Sequence, residues 1–203
     1  VKKLLAVQWL ALLPFVCSIL SPKASAEEGG TGHFLPGSMS SFIDSIPTSG
    51  SFFIRYDMAH YRGEMETNRA LPNAGLTALN VDAESYINAL TFLWRPPLDF
   101  GEKWSLAVSG TIPHISLKTS ADVLIGAGKS IPIEDTIDGI GDILLLPLML
   151  NYQFNENWSS SMWLGLYAPT GSYKTRRLAN TCKNYWTVEP TLSFMYFGKE
   201  NGR

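Results

Sequence analysis

The sequence predicts an all-β chain: an antiparallel, up-and-down transmembrane β-barrel with about six strands present. Three observations predict it. Segments of roughly ten residues alternate apolar and polar side chains between turn residues. The connections alternate long and short, as loops and turns do on the two sides of a membrane barrel. Aromatic residues gather at both ends of the segments, as two interfacial girdles do.

Residues 1–26 read as a signal peptide. Lys2 and Lys3 precede an apolar run from Leu4 to Leu20, and Ala24-Ser25-Ala26 offers a small-residue cleavage site before Glu27. Residues 27–50 form an N-terminal segment, Gly-rich, with Phe34, Met39 and Phe42. Two readings of it stand: a plug that enters the lumen, or a periplasmic leader without fixed structure.

Residues 51–203 are the partial barrel. The expected strands are 51–62, 82–94, 103–114, 140–154, 158–168 and 185–197. In the first, Phe52, Ile54, Tyr56 and Met58 share one face, with Arg55 and Asp57 on the other. In the last, Trp186, Val188, Leu192, Phe194 and Tyr196 alternate with Thr187, Glu189, Thr191 and Ser193. A soluble sandwich produces the same alternation; loop lengths and girdles favour the membrane. Phe52, Trp94, Trp104, Phe154, Trp158 and Tyr196 lie at the short-turn ends, and Tyr61, Tyr86, Tyr167, Tyr185 and Trp186 at the long-loop ends. The stretches 63–80 and 115–135 read as long loops. Past Ala26 no apolar run reaches the length of a membrane helix, and "ILLLPLML" (143–150) contains Pro147.

Removing the signal peptide takes away Lys2, Lys3 and Lys23 and leaves 13 basic residues against 18 acidic. That balance argues against nucleic acid as a partner. Cys182 would be the only remaining cysteine, which excludes an intrachain disulfide and a Cys-pair zinc site. No cofactor or metal is expected. "GTGH" (30–33) follows no strand and opens no helix, so it makes a poor nucleotide motif. "DGIGD" (138–142) lacks the further ligands of a calcium loop and reads as a turn. HExxH, P-loop and GxSxG motifs are absent, and no catalytic residue is assigned. His114 with Ser116 or Ser109 is the one conceivable hydrolase pair, and polar residues at a membrane rim explain it more simply.

The candidate binding residues are therefore lumenal or at the mouth. Arg55, Asp57, Asp142, Thr187 and Glu189 would face the lumen, with Arg55 and Asp57 close enough to pair with each other. The mouth stretch is "YAPTGSYKTRRLANTCKNYWTVEP" (167–190). It has three readings: a solvated extracellular loop, a loop folded into the lumen with Arg176 and Arg177 pairing with Glu189, Asp142 or Asp57, or a capture site. In the last, Tyr173, Tyr185 and Trp186 stack an aromatic ring while Arg177 holds an anionic group.

The same stretch carries a family resemblance. "PTGSYKTRRLAN" (169–180) followed by "NYWTVEP" (184–190) resembles the family named for the meta-pathway of phenol degradation. "GGTGHFLPGSMSSFIDSIP" (29–47) is similar to its mature N-terminus, and "DGIGDILLLP" (138–147) to its Gly-x-Gly-Asp strand entry. The resemblance implies an outer-membrane barrel of a Gram-negative bacterium that binds or passes hydrophobic or aromatic small molecules, with outer-membrane lipid as its other partner. It does not imply catalysis. The alternatives are a surface binding or structural barrel that does not transport, and an outer-membrane hydrolase. Family members run on for further strands, whereas this chain stops in a turn at Asn201-Gly202-Arg203. Six strands fall below the eight of the smallest single-chain bacterial barrels. The expectation is a truncated larger barrel, or a homo-oligomer that closes its edges.

Overall fold

The computed structural model describes residues 33, 46, 52–65, 71–73, 76–98, 101–125, 129–196 and 198. The signal-peptide reading and most of the 27–50 segment lie outside the described residues. The rest is strand and loop: β1 (Phe52–Met65), β2 (Leu71–Asn73), β3 (Leu76–Trp94), β4 (Trp104–Ile125), β5 (Lys129–Ile140), β6 (Ile143–Gln153), β7 (Trp158–Ala168) and β8 (Thr187–Tyr196). All pairings are antiparallel, in the order β1-β3-β4-β6-β7-β8, with β2 against β3 and β5 against β4. The sheet curls into a half-barrel.

The eight elements occupy six lines. β5 pairs with the far half of β4, from Ile125↔Lys129 to His114↔Ile140, and β6 pairs with the near half, from Thr111↔Leu144 to Trp104↔Tyr152. They are one strand broken at Gly141-Asp142. β1 and β2 run in the same way along β3, with 66–70 between them.

The expected long loops are corrected here. Residues 76–81 and 115–125 extend β3 and β4, and 129–140 is a strand. Lys118, Asp122 and Glu134 lie on the outer face of these strands and meet partners across them, while Asp135 faces inward. Lys118 Nζ lies 3.0 Å from Glu134 Oε2, and His60 Nε2 lies 2.9 Å from Glu84 Oε1. A register shift between Leu79 and Asp82 takes Asn80 to φ 49°, a conformation Asn tolerates, and its amide donates to Asp122 Oδ2 at 2.9 Å.

The two faces differ. On the outer face of β1 and β8, Ile54, Met58, Leu192 and Phe194 are each more than 60% exposed. This apolar surface ends at one row of paired residues, Met58–Asn88–His114–Ile140. The next rows are His60–Tyr86–Ser116–Asp138, Arg62–Glu84–Lys118–Thr136 and Glu64–Asp82–Ser120–Glu134. The inner face holds two buried apolar clusters. Ala107, Leu146, Met149 and Trp163 form one, and Ile46 packs on it. Ala78, Ala121, Val123 and Leu178 form the other.

Candidate functional site

The site lies on the inner face where β5 breaks into β6. Gly141 N–H donates to Pro113 O at 2.9 Å, so the chain stays beside β4 through the break. A Cβ on Gly141 would stand 2.5 Å from Ile115 Cδ1 and 3.2 Å from Thr181 O, so a side chain here would require Ile115 to move. Asp142 is buried beneath the 169–186 loop. Its Oδ1 accepts Gly171 N–H at 3.3 Å, and its Oδ2 accepts Lys183 N–H at 2.9 Å. One carboxylate thus ties both ends of the loop. Thr170 Oγ1 adds a tie to the break, donating to Gly141 O at 2.9 Å and accepting Ile143 N–H at 3.0 Å. Burial opposes the Asp142 charge, but the His33 side chain and the two loop N–H groups outweigh it and hold its carboxyl below the usual carboxylate range.

His33 completes the site from the N-terminal segment. Its Nε2 lies 2.7 Å from Asp142 Oδ2 and its Nδ1 lies 2.8 Å from Thr187 Oγ1. The imidazole stacks on Tyr167 with ring centroids 4.6 Å apart, and Tyr185 meets it edge-on at 5.4 Å. Its side chain is 6% exposed. Tyr167 hydrogen-bonds Glu189, which links the network down β8.

The middle of the loop climbs the inner face of the β3–β4–β5 extension. Leu178 and Ala179 are buried there. Arg177 Nε lies 3.0 Å from Asp135 Oδ2, its NH2 group donates to Thr136 O at 2.8 Å, and Ala179 N–H donates to Asp135 Oδ2 at 3.1 Å. Burial again opposes the charge, and the Arg177 guanidinium with the Ala179 N–H lowers the Asp135 carboxyl despite it. Inside the loop, Ser172 N–H donates to Thr181 Oγ1 at 2.9 Å and Thr181 N–H to Ser172 O at 3.1 Å. Cys182 is buried beneath it, and burial pushes its thiol up, which makes it a poor nucleophile.

The sequence-chosen residues fall as follows. Arg55 and Asp57 pair with each other on the inner face of β1, Nε to Oδ2 at 2.7 Å. Asp142, Thr187 and Tyr185 come together around His33, and Glu189 joins them through Tyr167. Arg177 is drawn to Asp135 rather than to Glu189, Asp142 or Asp57, and Arg176 is exposed at φ 65°. The solvated-loop reading is corrected: the loop is folded onto the inner wall, because Leu178 and the Asp135 acceptor give it a seat. Tyr173 is partly buried within it. Trp186 is 65% exposed, next to the outward Val188 row, and is not stacked with Tyr185. His114 lies on the outer row, its Nε2 3.2 Å from Asp138 Oδ1.

Sequence reasoning missed His33, Tyr167 and Asp135. For His33 a signal existed: it is the sole titratable side chain between residues 29 and 43. Chemically the arrangement is an acid–imidazole–hydroxyl chain capped by two tyrosines. It anchors a segment as readily as it shares a proton. Among the described residues no group of three or more His, Cys, Asp or Glu side chains could hold a metal.

A family model described as "Putative MetA-pathway of phenol degradation" matches residues 67–202. No curated protein and no solved structure matches the chain.

Proposed function

This chain belongs to the family described as "Putative MetA-pathway of phenol degradation", and on that premise we propose that it is an outer-membrane β-barrel protein that passes hydrophobic or aromatic small molecules. The N-terminal segment serves as its plug. The supporting observation is the row at Met58, Asn88, His114 and Ile140, where the outer face changes from mainly apolar to polar and charged on four paired strands at one height. From Trp104 to that row is about one transmembrane strand, for which about 9–11 residues suffice. At the opposite end Phe52, Trp94, Trp104, Phe154, Trp158 and Tyr196 are exposed together, as an interfacial girdle requires.

On this reading the lipid-facing parts are Phe52–Met58, Asn88–Trp94, Trp104–Ile112, β6, β7 and β8. The β3–β4–β5 extension rises above the lipid and backs the 169–186 loop. Both described residues of the 27–50 segment favour the plug: Ile46 packs on the inner apolar cluster and His33 is held by Asp142. In lipid the β1 and β8 edges need hydrogen-bonding partners. A second copy of the chain is one source, and the mass of the membrane-extracted species reads it.

The test is reconstitution of the full chain in planar bilayers and proteoliposomes. The proposal expects insertion, and ligand flux that rises when residues 27–50 are deleted. A chain that inserts but supports neither current nor flux in either form removes the transport role.

A second reading, an outer-membrane hydrolase, has one observation in its favour: Asp142, His33 and Thr187 follow the order of acid, base and hydroxyl nucleophile. Ester hydrolysis that survives Thr187→Val ends it.

A further inference from the structure

The inner apolar cluster contains one group that packing alone does not explain. Trp163 on β7 is 9% exposed, and its Nε1 has no hydrogen-bond partner among the described residues. A buried indole N–H normally finds an acceptor, and leaving it unmade costs stability without return. Phenylalanine would supply a smaller apolar ring with no donor to leave unmade.

The ring lies in an apolar setting on the inner face. Met149 lies beside it on β6 and Thr191 on β8. Ala107 and Leu146 complete the apolar lining. The next inward position on β7 is Gly165, between Trp163 and Tyr167. A Cβ there would meet Glu189 Cβ and O at 3.4 Å and Leu144 Cδ1 at 3.6 Å, so the fold does not demand glycine. A bare position inside a strand often marks close approach by something else. Ile46 of the N-terminal segment rests on this cluster, so a branched apolar group already fits it.

We propose that Trp163 determines specificity at an inner-face site for hydrophobic ligands that carry a hydrogen-bond-accepting oxygen, its indole N–H donating to that oxygen. The ligand takes the place of Ile46, its apolar body lying on Met149 and Leu146. The inference rests on the uptake reading above and deepens it. An equally apolar ligand without an acceptor fills the same place but leaves the indole unmade, so the site ranks the two by one hydrogen bond.

The test uses the full chain in detergent and two ligands of nearly one shape, acetophenone and α-methylstyrene. Binding is measured for the parent and for Trp163→Phe. The ratio of the two affinities, compared between the proteins, cancels the ligands' own hydration. The expected result is a ratio that falls about fivefold or more in the variant, the size of one net hydrogen bond, with α-methylstyrene binding unchanged. An unchanged ratio, with both ligands still bound, overturns the inference and leaves the uptake reading standing. Binding of neither ligand to the parent overturns both. The parent's indole ¹⁵N–¹H resonances give a second readout if the variant does not fold. Acetophenone shifts the Trp163 signal downfield and α-methylstyrene does not; equal shifts overturn the inference.

Discussion

His33 Nε2 stands 2.7 Å from Asp142 Oδ2, which ties the N-terminal segment to the break between β5 and β6. The same carboxylate holds Gly171 and Lys183 of the 169–186 loop. The N-terminal segment and the loop therefore share one anchor. His33→Ala should free the first and spare the second, because the two loop N–H bonds remain. Asp142→Asn should weaken both, by roughly 2 kcal/mol for hydrogen bonds to a charged acceptor. Limited proteolysis with mapped cleavage sites separates the cases. Unchanged cleavage within 27–50 in His33→Ala would mean that the anchor lies elsewhere.

The anchor sets an acid limit. Asp142 has its folded carboxyl below its ordinary value of 3.8. A depressed folded value contributes stability that is fully present above the unfolded value and is lost as pH falls through the folded one. The loop should therefore stay seated down to about pH 4 and detach below it. Hydrogen exchange at the Gly171 and Lys183 amides, followed from neutral to acid pH, checks this. Loss of protection well above pH 4 would show that Asp142 does not hold the loop.

Two glycines at the anchor should respond unequally to alanine. At Gly171 a Cβ would lie 2.6 Å from Cys182 Cβ and 3.0 Å from the Ile140 and Thr181 carbonyl oxygens, none of which can rotate away. At Gly141 the nearest atom is the tip of Ile115, which can change rotamer. Gly171→Ala should cost about 1–3 kcal/mol, the usual range for overpacking, and Gly141→Ala less. Denaturant midpoints rank the pair, and equal costs would show that the loop shifts as a body.

These close approaches explain what was legible in the sequence. Alternation in 51–62, 103–114, 158–168 and 185–197 follows local side-chain order, so those strands and their two faces could be read directly. The β4 extension could not. Its inner residues Thr119, Ala121 and Val123 are small, and their cover, Leu178, comes from a loop more than fifty positions away. Asp142 was legible as an inward acid because it follows a turn glycine. Its partner His33 was not, since no periodicity links residue 33 to residue 142. The Arg55–Asp57 pair was legible because it is local.

The loop's far end offers a contrast between packing and charge. Leu178 is buried against Ala78, Ala121 and Val123. Leu178→Ala should cost about 2–4 kcal/mol, within the range for a buried leucine. Arg177 and Asp135 keep part of their surface in water, so Arg177→Ala should cost only about 1 kcal/mol after solvent screening. Thermal or denaturant unfolding in detergent measures both. A larger loss for Arg177→Ala would make the ion pair, rather than the apolar seat, the main hold on the loop.

Leu192 and Ser193 are neighbours on β8 that face opposite ways, which makes them a test of what surrounds the sheet. Leu192 is 63% exposed on the outer face, in the row of Val188, Phe194 and Tyr196. Ser193 lies opposite Ser161 on the inner face. If the outer face meets water, Leu192→Arg replaces an exposed apolar side chain with a hydrated one and should be neutral to within about 0.5 kcal/mol. If it meets lipid, the same change places a cation in hydrocarbon and should cost about 2–4 kcal/mol near the bilayer midplane. Ser193→Arg should be tolerated better, because a polar lumen solvates the guanidinium. The expected order in lipid vesicles is therefore parent, Ser193→Arg, Leu192→Arg, read as the fraction that folds and resists protease. The reverse order would take the apolar face out of the membrane, and the transport reading with it.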